Sequence, residues 1–450
     1  MVTPARDTEL DQAGQAPLSR LTELAQEDRA RQFSSIAHFL TPEALQEAFL
    51  SLRKNASAGV DEVTYQDYER QVEENIQKLW ERLKSKTYRA QPLRRIYIPK
   101  EDGKSQRAIS IPALEDKIVQ KATVRLLNAI FESDFLPCSY GSRPGLNAHQ
   151  ALDELDRIIF RESISHVLEL DITSYFDAIV RKLLMEMIEL RISDQSILRL
   201  IGKWIHVGVI DEGRLLVSET GIGQGQVISP FLANVYLHQV LDRWFEDEVK
   251  PRLTGKAFVV RYVDDAVICF QNEEDAQKVL TVLAKRFSKY GLTLHPDKTR
   301  LVEFGRSALT QAERVGKKPD TFDFLGVKHI SARSRRGKFM VKVKTMKKRL
   351  KRSLVTVEAW CKKHRHEPVK EQQATLNAKL RGHYQYYGRA SNYWSLRQFY
   401  NGVVRIWKKW LSRRTRGTPL TWDKYNQLLQ RHPLLLPRIT HTWASLRSPS

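Results

Sequence analysis

AFVVRYVDDAVICF, residues 257–270, is an apolar run broken by two adjacent acids, Asp264 and Asp265. One explanation is turn chemistry, because an aspartate side chain in a tight turn bonds to nearby backbone. The other is that a strand-turn-strand holds two carboxylates rigidly at its tip, as hard oxygen ligands for Mg²⁺ must be held. The motif alone leaves both open.

A second stretch bears on the choice. HVLELDI, residues 166–172, is a β-rich run that ends in Asp171 before the turn-like TSYFD. If the strand ends at 171 and 264–265 are neighbours in one sheet, three carboxylates converge, as a two-metal phosphoryl-transfer site requires. Asp171 could equally cap the helix that follows.

Composition narrows the class. The chain has 450 residues, 42% hydrophobic and 28% charged, enough for two or three domains with sizeable cores. No apolar stretch approaches a membrane span, and MVTPARDTELDQAG lacks the basic-then-apolar order of a signal peptide, so a cytosolic protein is expected. Cys138, Cys269 and Cys361 are too scattered for a disulfide framework or a zinc site. The net charge of +22 is uneven. Residues 328–450 carry 30 Lys and Arg against 4 Asp and Glu, and they hold six of the nine tryptophans. Cations interleaved with flat rings suit a nucleic-acid surface, where they neutralise phosphates and stack on bases.

Along the chain, residues 1–32 read as a polar extension, frayed or helical, with little to pack. Thr41 opens a helical pattern, and a second helix follows across YERQVEENIQKLWERLKS. RRIYIPK and RAISIP flank EDGK as a hairpin. Residues 165–330 mix strands and helices as an α+β domain with an antiparallel sheet does. TFDFLGVKHI supplies a last strand, beyond which the pattern is helical and basic.

Seven segments in order then resemble the reverse-transcriptase motifs. They are RRIYIPKEDGKSQRAISIPALEDKIVQKA, SYGSRPGLNAHQAL, LELDITSYFDAI, GIGQGQVISPFLANVYL, RYVDDAVICF, GLTLHPDKTRLVEF and FDFLGV. LNAKLRGHYQYYGRASNYWSLRQFYNGVVRIWKKWL resembles the maturase domain of group II intron-encoded proteins, and the likeness covers roughly residues 35–445. It implies an α+β right-hand polymerase: fingers at 33–164, a palm at 165–330 and a basic helical thumb/maturase domain at 331–450. Asp171, Asp264 and Asp265 would bind two Mg²⁺ ions, with Mn²⁺ a substitute and the Ile172 carbonyl an extra ligand. Lys100 and Arg107 would hold the incoming triphosphate. Phe176 would block a 2′-hydroxyl, Gln224 and Gly225 would line the nucleotide pocket, and Lys298 would sit near the primer terminus. Arg143, Arg381, Tyr386, Tyr387, Trp407, Lys408, Arg413 and Arg414 are the candidate nucleic-acid contacts.

The chain departs from the family pattern at one loop and one turn. Ile222, Gly223 and Gln226 stand where the family's loop has Thr, Pro and a second Gly, and Val263 where many members have Ala. A glutamine for a glycine is expected to add bulk beside template or nucleotide, and a glycine for a proline to loosen the loop. No His-Asn-His or Cys-pair segment follows RITHTW, so no endonuclease domain is expected. The expected function is RNA-directed DNA synthesis from an RNA template, a primer and deoxynucleoside triphosphates, together with help in group II intron splicing and mobility. A free-standing enzyme of DNA repair or phage defence, and an RNA-binding maturase with a vestigial polymerase, are the alternatives.

Overall fold

The computed structural model describes residues 18–99, 105–414 and 420–442. Among them run strands β1 (Leu93–Pro99), β2 (Gln106–Ile111), β3 (His166–Leu170), β4 (Val209–Asp211), β5 (Arg214–Leu216) and β6 (Ala257–Tyr262). They continue with β7 (Asp265–Phe270), β8 (Arg300–Glu303), β9 (Thr321–Phe324), β10 (Val327–Arg333) and β11 (Phe339–Thr345). Together they form three sheets, ordered β2-β1-β4-β5, β6-β7-β3-β8 and β11-β10-β9.

The central sheet, β6-β7-β3-β8, is antiparallel throughout. Its inner parts are rich in apolar residues because both faces are covered, although β8, RLVE, is largely exposed. Leu168, Leu170, Ile268 and Phe270 face a large core shared with the helices Leu114–Phe131, Ser229–Leu237 and Glu273–Lys289. Val167, Val260, Val267 and Cys269, one residue out of phase, face a second core with the helix Ala148–Arg161 and the β9–β11 sheet.

The N-terminal hairpin forms as expected, with β1 antiparallel to β2, although Lys100 and most of its turn lie outside the described residues. The short hairpin β4–β5, absent from the sequence reading, adds to it through a parallel β1–β4 pairing. A second addition is β11. FMVKVKT, at the start of the basic region read as helical, alternates Val341 and Val343 inward with Lys342 and Lys344 between them. The boundary placed at 330/331 therefore falls inside β10, and the helical part begins at Lys347.

Residues 18–32 also differ from the polar extension expected. Leu21 and Ala25 are buried in the main core, and Arg191 donates to the carbonyls of Ala25 (3.3 Å) and Asp28 (3.2 Å). At the other end, the helices Lys347–Lys363, Val369–Tyr387, Tyr393–Leu411 and Trp422–Arg431 enclose a separate core around Leu380, Tyr384, Phe399 and Trp407. This core is tied to the central sheet by Arg389, which meets Asp153 at 2.7 Å and Asp156 at 2.8 Å, both on the helix behind the sheet. No helix among the described residues is long and apolar enough to cross a membrane.

Candidate active site

Strand register brings the acids together. Leu170 pairs with Ala266, so Asp171, one residue beyond β3, lies beside Asp265, the first residue of β7. Tyr262 pairs with Asp265, leaving Val263 and Asp264 as a two-residue turn. The helix after Asp171, Tyr175–Ala178, is opened by Ser174 in left-handed conformation, so Asp171 is not its cap.

Electrostatics couple the three carboxylates. Burial is the main reason the Asp265 carboxyl is pushed up to about 7, and the charges of Asp264 and Asp171 push the same way. Asp264 is raised too, first by burial and then by Asp171, while the positive charges of Arg107 and Arg261 oppose the shift. Arg107, exposed on β2, thus reaches Asp264 with its field.

The convergence is one of strand ends and not of a closed ligand set. Among the described residues, no three His, Cys, Asp or Glu side chains gather closely enough to hold a metal ion. Asp171 instead meets the Lys298 ammonium at 2.5 Å, and Asp265 accepts the Leu325 N–H at 3.2 Å. The donors nevertheless fit a divalent cation. They are hard carboxylate oxygens, and Asp171 already holds a positive charge in Lys298. Ile172 is side-chain buried, and its backbone is pinned on both sides, Thr173 N–H to Thr293 and His295 N–H to the Asp171 carbonyl.

The glycine-rich loop touches the first sheet. The Gln224 carbonyl accepts the Ser110 N–H at 2.7 Å. Gly225, at φ +119°, has no room for a Cβ, which would stand 2.7 Å from the Ser110 oxygen. Phe176 is half-buried at the rim of the main core, its carbonyl accepting the Ile222 N–H at 2.9 Å. Two of the unusual loop residues, Ile222 and Gln226, have buried side chains. Ile222 is core, and buried Gln226 bonds to the Trp204 carbonyl and the Gln120 side chain. The expected bulk beside template or nucleotide is therefore corrected: the glutamine braces the loop from below. At Gly223 a Cβ would stand 2.5 Å from the Leu93 side chain and 2.8 Å from that of Gln226.

Burial corrects one proposed nucleic-acid contact, Trp407, and four others are engaged by partners within the chain. Trp407 is fully buried, its Nε1–H donating to Gln372 at 2.9 Å. Arg143, its side chain 9% exposed, serves Glu132 and the carbonyls of Leu136 and Ser139. Arg414 donates to the carbonyls of Arg365 and Glu367. The Tyr386 hydroxyl donates to the Leu325 carbonyl, and Tyr387 packs between two cores. Arg381 and Arg413 are exposed, and half-buried Lys408 lies over Trp422 at 4.7 Å. Trp394, 68% exposed under Arg397 at 5.6 Å, and Trp422, 51% exposed, are two of the six tryptophans of the basic segment, though neither was among the eight candidate contacts. The sequence reading missed Leu325, whose left-handed backbone presents its N–H to Asp265; the glycine in FDFLGV is the only sequence sign of that turn.

Acids at two strand ends, within the field of Arg107, suit a cation and a polyphosphate, the requirement of the nucleotidyltransferase class. The family model described as reverse transcriptase (RNA-dependent DNA polymerase) matches residues 98–329, just over half of the chain. Protein YkfC of Escherichia coli K12 is 33% identical over 341 residues, covering 67% of this chain and 84% of its own length. The group II intron-encoded protein LtrA of Lactococcus lactis is 29% identical over 282 residues, 60% of this chain and 47% of its own. An uncharacterised 91 kDa protein in the cob intron of Schizosaccharomyces pombe is 37% identical over 174 residues, 38% of this chain and 21% of its own. The chain thus spans less than half of either intron protein. It belongs to the reverse transcriptase family, in the group II intron branch, and the family's activity is RNA-directed DNA polymerisation with a divalent metal.

Proposed function

We propose that the chain is a group II intron-type reverse transcriptase that also binds intron RNA and aids its splicing and mobility. The residues up to about 164 serve as fingers, the central sheet and its helices as palm, and the basic helices as thumb. Asp171, Asp264 and Asp265 hold two Mg²⁺ ions, with the Ile172 carbonyl beside them. When bound, the ions supply charge neutralisation at the reacting phosphate and lower the basicity of the attacking hydroxyl. Lys100 and Arg107 draw the triphosphate of the deoxynucleotide against these acids, while Gln224 and Gly225 form the floor on which it lies. Phe176 stands under the sugar. Lys298 exchanges its contact with Asp171 for a place near the primer end.

Intron RNA is taken by the basic helices. Trp394 with Arg397 and Trp422 with Lys408 offer exposed rings beside cations, the pairing that stacks bases and neutralises phosphates. Arg381 and Arg413 extend that surface.

The observation that carries the reading is the β3–β7 register, which sets Asp171 beside Asp265 within the field of Arg107. Asp264→Ala is expected to reduce primer extension on an RNA template by at least about 10²–10³-fold, as loss of transition-state charge stabilisation does. RNA affinity and melting temperature should stay unchanged. Near wild-type extension by Asp264→Ala with Mg²⁺ would overturn the assignment.

A further inference from the structure

Among the described residues, Val263 is the one β-branched side chain at positive φ, at +59°. A two-residue hairpin turn needs such a φ and ordinarily takes Gly, Asn or Asp there, because Cβ and its branches crowd the backbone. This turn carries Asp264 and leads into Asp265. Strain of this kind persists only where surroundings over-determine it.

The surroundings converge from three elements. Arg261 is wholly buried, and its Nη1 donates to the Val263 carbonyl at 2.9 Å and to Asn234 Oδ1 at 2.9 Å. Its Nε and Nη2 grip the two oxygens of Asp242 at 2.8 and 2.5 Å. Asp242 lies in the π-helical turn His238–Arg243 and is itself fully buried, so the pair is fixed in direction by its fork-to-fork geometry. Asn234, through its Nδ2, donates to the Gly141 carbonyl at 2.6 Å. Gly141 closes the other side. A Cβ there would stand 2.5 Å from the Val263 nitrogen. The Arg261 backbone is held as well, its N–H on the Cys138 carbonyl and its carbonyl on the Tyr140 N–H.

We infer that Arg261, aimed by Asp242 and Asn234, is a positioning residue that locks residue 263 in the left-handed region and thereby fixes where Asp264 and Asp265 stand. The inference rests on reading those aspartates as catalytic. It differs from a general stabilising role in one respect: the requirement for Arg261 depends on what residue 263 is. Glycine reaches the same φ without strain and needs no clamp.

The test is a kinetic cycle in the full chain with an RNA template. Arg261→Lys keeps a charge for Asp242 but loses the planar fork that spans Asp242, Asn234 and the Val263 carbonyl. It is expected to lower kcat by about 10²-fold, the scale of a 1 Å misplacement, with KM for nucleotide within about twofold. Adding Val263→Gly should restore at least about tenfold of that loss while leaving the lowered melting temperature where it was. Should Arg261→Lys not fold, Asn234→Ala, which leaves the ion pair in place, carries the same expectation at smaller size. Additive losses, with Val263→Gly rescuing neither variant, would overturn the clamp. Asp264→Ala assayed alongside separates the failures, because its activity, and not the cycle, decides whether the turn is catalytic.

Discussion

The edge of the central sheet and the C-terminal helices reward sequence reading differently. At the ends of the sheet's strands, Asp171, Asp264 and Asp265 were singled out, and the register sets Asp171 beside Asp265, with Asp264 in the field of Arg107. In the helices, Trp407 and several cations were singled out by type, and burial removes Trp407, the most conspicuous of them, from any surface. The difference is one of periodicity. A strand alternates strictly and ends at a turn, so an acid that breaks an apolar run has a determined place. An amphipathic helix spreads its aromatics around 3.6 residues per turn, and aromatics serve core and surface alike.

That contrast can be broken most directly in the C-terminal core. Trp407→Ala is expected to destabilise the protein by about 3–5 kcal/mol, the cost of a cavity where an indole is fully buried, and it also leaves Gln372 without its donor. Trp394→Ala should leave thermal stability within about 0.5 kcal/mol and weaken RNA binding by about 1–3 kcal/mol, as loss of a stacking ring does. Calorimetry and RNA titration on both variants read the two effects. If Trp407→Ala lost RNA affinity without losing stability, the assignment of the two tryptophans would be reversed.

At the sheet edge the corresponding step is Phe176→Val. With the ring removed from under the sugar, incorporation of ribonucleotides relative to deoxynucleotides should rise on the order of tenfold, since steric rejection by one side chain is of that size. An unchanged ratio in single-nucleotide incorporation would place the gate elsewhere.

The smallest expected effect spans both regions. Burial drives the His329 ring down to about 3 and the His383 ring to about 4, so both are neutral in the folded chain. The unfolded chain binds protons near pH 6.5, which the fold refuses, so the stability these rings contribute is full above that value and falls as pH drops towards 4. His329 stacks on Phe322 at 4.6 Å, and neither of its buried ring nitrogens has a hydrogen-bond partner among the described residues. His329→Phe should flatten the acid slope of a denaturant-midpoint titration. An unaltered slope would assign the acid sensitivity to other groups.

Legibility followed the same physics. The RYVDD hairpin, the DG hairpin of β1–β2, the Thr41 cap and the segregated positive charge were all readable, because each rests on neighbouring residues. What escaped depends on residues far apart. Nothing near Gln226 announces that its side chain meets Gln120, and nothing near Arg261 announces Asp242. β11 escaped because Lys342 and Lys344 were read as part of a basic helix, although Val341 and Val343 keep the two-residue period.

The pairing of Arg389 with Asp156 has a consequence for the order in which the chain is made. Asp156 sits at 7% exposure on the helix behind the central sheet, and its guanidinium partner is 233 residues further on. A buried carboxylate with no counter-charge is costly, by several kcal/mol. During synthesis from the N-terminus, the face of the sheet against helix Ala148–Arg161 therefore cannot settle until residue 389 has emerged. The sheet that carries the aspartates, complete by Glu303, is translated before residue 389 yet is expected to become rigid only after it, so a nascent chain arrested before residue 389 should remain protease-sensitive around 148–161 while one arrested well after it should not.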